Sequence, residues 1–209
     1  MKLSTVQIKS SSLLNYAFFI FLLLMVTCLT VRAQSSHSSG GSQRISVLSG
    51  YSQSHLDNLE DDDYQLVPLV WRFSYDGDYL LRKIGLNVPG RWQMNIEPYF
   101  AQVISPDNRQ EFGCGFMLRG YLFSLNLPKQ ISFFLEGGVG PAVLTQDNKN
   151  QDTDFNFIDQ IGGGIEITLS EQCSLEITDR FRHVSNAGLG NDNGGIDGNV
   201  FLVGMTWRY

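Results

Sequence analysis

The stretch RFRHVSNAGL, residues 180–189, sets His183 two positions before Ser185, with Asn186 and a glycine-rich run behind them. An imidazole beside a hydroxyl can take its proton and make it a nucleophile, provided a third group orients the ring and stabilises its cation. Asp179, Asp192 and Asp197 are the nearby acids in the chain. Whether this is a catalytic pair or two polar residues at a strand end depends on how the chain around them folds.

The surrounding elements alternate. In QMNIEPYFA, residues 93–101, Met94, Ile96, Pro98 and Phe100 share one face, and Gln93, Asn95, Glu97 and Tyr99 share the other. A period of two marks a β-strand. The same pattern covers residues 44–51, 64–75, 111–122, 131–143, 155–169, 172–185 and 197–209, giving eight strands. Turn-like stretches separate them at 57–63, 105–109, 145–154, 170–172 and 188–195. Residues 76–90 read as either a short helix or a long turn.

Orientation follows from the two faces. The polar face carries glycine together with Glu97, Glu111, Arg119, Glu136, Glu166, Glu176, Arg180 and Arg182. Small residues and ion pairs suit the interior of a narrow barrel, with the apolar face turned to lipid. The chain ends NVFLVGMTWRY, alternating to an aromatic terminus. The expected fold is an all-β, eight-stranded antiparallel transmembrane up-and-down barrel over residues 43–209; a secreted β-sandwich is the alternative. Glu136, Glu166, Arg180 and Arg182 are expected to form an interior ion network. On topology, the acidic connections at 52–63, 145–154 and 187–195 fall outside the cell if both termini are periplasmic.

Residues 1–33 read as an export signal: Lys2 and Lys9, then the apolar run AFFIFLLLMVTCL, then Val31-Arg32-Ala33 as a cleavage site. That run is short for a spanning helix, which needs ~20 residues. An uncleaved anchor, or a lipoprotein start at Cys28, is the competing reading. Residues 34–42 form a polar leader. Losing Lys2, Lys9 and Arg32 leaves 12 bases against 21 acids, a charge of about −9, which makes nucleic acid a poor partner. Cys114 and Cys173 fall on lipid-facing positions of non-adjacent strands and are expected as free thiols. His37 and His55 lie in the leader and a loop.

On the seventh strand, Cys173, Leu175, Ile177, Asp179, Phe181, His183 and Ser185 share the outward face. His183 and Ser185 then lie ~6.5–7 Å apart, from the strand rise. Asp179 is ~13 Å back along the strand and too far. Asp197, on the antiparallel next strand, shares outward parity with Phe201 and Trp207 and is the expected orienting acid; Asp192 is held in reserve. Asn186, with nearby backbone N–H groups, could hold a developing oxyanion or could simply form the turn.

The stretch HVSNAGLGNDNGGID resembles the signature of the lipid A 3-O-deacylase family, outer-membrane barrels with a His–Ser–acid triad on their outer surface. The resemblance rests on His183, Ser185, Asn186, Ala187, Gly188, Leu189 and the acid fourteen residues after the histidine. It implies a serine esterase that releases a 3-hydroxyacyl chain from a lipid A glucosamine. His183, Ser185 and Asp197 would be catalytic, and Asn186 and Gly188 would serve the oxyanion or substrate. No metal or other cofactor is implied. The partner would be lipopolysaccharide in the outer leaflet, and the protein a monomer or homodimer. The family usually carries glutamate where this chain has Asp197. One methylene less shortens the reach by about 1–1.5 Å, from a single C–C bond. The competing functions are a non-enzymatic barrel serving adhesion or surface protection through its acidic loops, and a phospholipase-type barrel esterase.

Overall fold

The computed structural model describes residues 43–55, 64–127, 129–145, 154–189 and 195–209. The signal, the leader with His37, the acidic stretch 57–63 and Asp192 lie outside the described residues.

Eight antiparallel strands close into one barrel in chain order. They are β1 Arg44–His55, β2 Tyr64–Asp76, β3 Arg91–Ser105, β4 Arg109–Asn126, β5 Gln130–Leu144, β6 Phe155–Thr168, β7 Cys173–Ser185 and β8 Ile196–Arg208. The ladder closes between β1 and β8, from Arg44 opposite Arg208 to His55 opposite Asp197. Closure gives every edge a partner, which a sheet surrounded by lipid requires. Strands β1, β3 and β4 run several residues past the expected bounds, because pairing continues through stretches where alternation weakens. His55 accordingly belongs to the end of β1, not to a loop.

Between β2 and β3 lies a helix, α1, Gly77–Lys83. Asp76 caps it, its Oδ1 accepting from the N–H groups of Asp78 at 2.9 Å and Tyr79 at 3.3 Å. The cap satisfies two of the donors that a helix N-terminus leaves free, and Arg82 and Lys83 occupy the last turn. Of the two readings of 76–90, the short helix holds. Among the described residues no helix is long and apolar enough to cross a membrane.

The faces sort as the alternation requires. Trp71, Phe73, Tyr75, Met94, Ile96, Phe116, Leu118, Leu135, Ile161, Phe181 and Phe201 stand exposed outside, an apolar surface suited to lipid. Inside, the charges are paired. Arg72 bonds Glu97 at 2.6 Å, and Arg180 bonds Glu97 and Glu136 at 2.7 Å each. Arg119 bonds Glu136 at 2.6 Å and Glu176 at 2.8 Å, and Glu176 returns to Arg72. Three arginines and three glutamates thus alternate in a closed ring that joins β2, β3, β4, β5 and β7. Gly162, opposite Arg180, makes room for it: a Cβ there would lie 2.6 Å from the Arg180 Cα.

Glu166, expected in the same network, forms a separate cluster with Arg44, Arg208 and Tyr121. Arg182 pairs with Glu111, which also accepts from Tyr64 and Tyr99. Toward the end of the barrel where β7 finishes, the interior turns apolar. There Leu66, Ala101, Val103, Ala142, Leu144, Ile158, Val184 and Ile196 pack together with Tyr64.

Cys114 and Cys173 are not joined by a disulfide. Cys114 is half-buried, whereas Cys173 is largely buried despite its outward parity, so Cys114 is the more accessible of the two.

Candidate active site

The apolar plug places the site. Val184 and Ile196 sit opposite each other on β7 and β8 with no exposed surface. Anchoring them inward turns His183 and Ser185, the neighbours of Val184, and Asp197, the neighbour of Ile196, to the outer face. Each of these two side chains removes roughly 1.5–3 kcal/mol worth of apolar surface from water, so the alternation is strongly fixed where it matters.

His183 and Asp197 are directly opposed in the β7–β8 ladder. Their side chains meet, His183 Nδ1 to Asp197 Oδ1, at 2.5 Å. The His183 side chain is 36% exposed and the Asp197 side chain 54%, so the pair sits on the surface and not within the barrel. The expected shortfall of an aspartate is absent, because directly opposed residues have Cβ atoms only ~4.5–5.5 Å apart. With Nδ1 held by the acid, Nε2 is the nitrogen left for a substrate or nucleophile.

Ser185 is half-buried on the same face, two residues past His183 and opposite Phe157 of β6. Phe157 meets Phe155 edge-on, ring centres 5.2 Å apart, so the serine borders an aromatic surface. Among the described residues no hydrogen bond joins Ser185 to His183.

Beyond Ser185 the chain turns tightly. Ala187 has φ 53° and Gly188 φ 79°, two successive left-handed residues, a conformation disfavoured for the alanine. Asn186 holds the turn. It is fully buried, its Oδ1 accepts from the Gly188 N–H at 2.9 Å, and its backbone oxygen accepts from the Leu189 N–H at 3.0 Å. Gly195 closes the other side, at φ 74°, against the His183 ring.

Two further acids share the outer face. Asp179 pairs in register with Gly163 and Phe201, remote from His183 as its spacing implies. Asp159 of β6 stands directly opposite His183 on the side away from Asp197 and is exposed. Sequence reasoning passed over Asp159, although its parity and the β6–β7 pairing both point to that position. Among the described residues no cluster of three or more histidine, cysteine or acidic side chains could hold a metal ion.

An eight-stranded antiparallel barrel with an apolar exterior, carrying a histidine–carboxylate pair and a serine on the outer face at one rim, defines a small membrane barrel of the outer-membrane type. A family model described as Lipid A 3-O-deacylase (PagL) matches residues 67–206, a span that holds His183, Ser185 and Asp197. The chain belongs to that family.

It is similar to the lipid A deacylase PagL of Bordetella bronchiseptica, 34% identical over 80 residues, 37% of this chain and 40% of that protein. The match thus spans less than half the length of that relative. The fold resembles the crystal structure of the outer membrane enzyme PagL, with TM-score 0.51 and 18% identity over 77% of this chain and 97% of the other. It also resembles Neisserial surface protein A, with TM-score 0.56 and 6% identity over 81% and 99%. At these identities the two structures support the barrel architecture.

Proposed function

We propose that the protein is a serine esterase that removes the 3-O-linked 3-hydroxyacyl chain from lipid A in the outer leaflet. The observation that carries this reading is the His183 Nδ1–Asp197 Oδ1 contact of 2.5 Å on the outer face, beside Ser185, in a chain of the deacylase family. In this reading Ser185 Oγ attacks the ester carbonyl and passes its proton to His183 Nε2. Asp197 keeps Nδ1 protonated and balances the imidazolium. The tetrahedral intermediate collapses, the proton moves to the departing sugar oxygen, and the acyl group remains on Ser185. Water, deprotonated by the same imidazole, then releases the hydroxy fatty acid.

Asn186 and Gly188 shape the turn next to Ser185, and this turn is where the oxyanion would be held. Phe155 and Phe157 offer the acyl chain an apolar surface continuous with the lipid-facing wall. The reaction as written draws on no cofactor, and its partner is lipopolysaccharide at the rim of the barrel. The export signal, cleaved after Ala33, would deliver the chain to that membrane.

The test is mass spectrometry of lipid A from a Gram-negative host expressing the wild type or Ser185→Ala. Loss of one hydroxyacyl chain with the wild type only is the expected result. Intact lipid A around a folded wild-type barrel would overturn the deacylase reading. Release of ordinary fatty acid from phospholipid would replace it with a phospholipase.

A further inference from the structure

Gly195 occupies a left-handed conformation, φ 74°, which by itself accounts for a glycine. Gly85 and Gly188 share that conformation at φ 83° and 79°, and a Cβ built on either meets nothing within 4 Å. Gly195 differs. A Cβ there would lie 2.9 Å from Cε1 of His183, 3.6 Å from Nδ1 and 3.7 Å from Nε2. The three ring atoms that must be placed for catalysis are the three nearest to it.

We propose that Gly195 is a positioning residue for His183: its bare Cα forms the wall against which the Cε1 edge of the imidazole rests, directing Nδ1 to Asp197 and leaving Nε2 for Ser185. The inference rests on the catalytic role proposed for His183 and adds a residue outside the triad. The obstructing atom is the far end of a side chain and not backbone. A methyl group at 195 is therefore accommodated by moving the ring, which leaves the fold only the left-handed strain that any side chain at this φ carries. The imidazole is pushed away from β8, and that motion separates Nδ1 from the carboxylate on the same strand. Folding and activity should come apart at this position, as they would not for a glycine needed only by the turn.

The experiment compares Gly195→Ala with Gly85→Ala, which imposes a similar left-handed strain at the α1 end of the barrel with no ring to displace. Both are purified as folded barrels, recognised by heat-modifiable migration on gels. They are assayed on lipid A and examined by proton NMR for the hydrogen-bonded Nδ1–H of His183, assigned by its absence in His183→Gln. Gly195→Ala is expected to fold, to lose the Nδ1–H signal, and to fall roughly 100-fold in kcat with KM little changed, the scale of an ångström-level misplacement. Gly85→Ala is expected to match the wild type. Asp197→Glu, with its longer reach, should recover part of the kcat in the Gly195→Ala background.

Wild-type kcat and an intact Nδ1–H signal in Gly195→Ala would overturn the proposal. So would failure of Gly195→Ala to fold, or an equal loss in Gly85→Ala, either of which makes the glycine a requirement of the turn alone. If the wild type does not deacylate lipid A, yet Gly195→Ala still loses the Nδ1–H signal, the positioning role stands and the deacylase reading falls.

Discussion

His183 and Asp197 meet at 2.5 Å from positions that already face each other, Cα to Cα, across the β7–β8 ladder. The sheet register supplies the acid, so the contact needs no loop to close over it. Replacing Asp197 by Asn keeps the shape but removes the charge and the acceptor that fixes the tautomer. A fall of roughly 10³–10⁴-fold in kcat is expected for Asp197→Asn, as for loss of the orienting acid in serine hydrolases generally. Asp197→Glu is expected to give no gain over the wild type, because aspartate already reaches the ring. Steady-state kinetics on lipid A with the two variants checks both statements.

Asp159 flanks the same imidazole from β6, yet His183 makes its ion pair with Asp197 and none with Asp159 among the described residues. An exposed carboxylate that is merely near contributes little through water. Asp159→Asn should therefore change kcat by less than about fivefold, on that weak coupling. A loss as large as that of Asp197→Asn would mean that Asp159 is the orienting acid during turnover.

The interior ring should matter for stability and not for chemistry. Glu136 bonds Arg119 and Arg180, all three buried. Glu136→Ala leaves Arg119 with Glu176 and Arg180 with Glu97 but opens the ring with one positive charge in excess, and an uncompensated buried charge costs about 3–5 kcal/mol. The unfolding midpoint in urea, followed by gel migration in lipid vesicles, should drop accordingly. Activity of the remaining folded fraction should stay near the wild type, since the ring does not open to the outer face. A Glu136→Ala barrel as stable as the wild type would show that the ring contributes no net stability.

Ile196 links the apolar plug to the site on the outer face. It is fully buried in the apolar plug and adjoins both Gly195 and Asp197. Ile196→Ala is expected to cost about 2–5 kcal/mol, the usual range for such a truncation. It should also lower kcat, because the Asp197 end of β8 loses its anchor. Stability and kcat measured on one preparation would show the two falling together, in contrast to Gly195→Ala.

Much of this was legible in the sequence, for a physical reason. Strand parity is a local property, so the lipid-facing and inward sets follow from alternation alone. Hairpin pairing then brought Asp197 to His183 from spacing. What parity does not give is register between strands separated by longer connections. Asp159 was missed because a strand read by its apolar residues hides a polar one among them, and its importance appears only once β6 is paired with β7. Arg72 was hidden the same way between Trp71 and Phe73, although it completes the ring. The state of 76–90 was open because seven residues carry too few helical turns for periodicity to separate helix from turn; the Asp76 cap decides it. The requirement at Gly195 is tertiary, set by a ring on another strand, and no local pattern encodes it.

The closed ring of Arg72, Glu97, Arg180, Glu136, Arg119 and Glu176 has a consequence for how such barrels diverge. Each member answers to two opposite charges, so no single replacement leaves its neighbours balanced. The interior can drift only by coordinated exchanges around the circuit, while the lipid-facing wall is free to vary one residue at a time. Sequences descended from a common ancestor should therefore preserve the sign pattern inside as a block and scatter widely outside. In such a lineage the permanence of the barrel's interior would reflect its connectivity, independently of whatever reaction its rim performs.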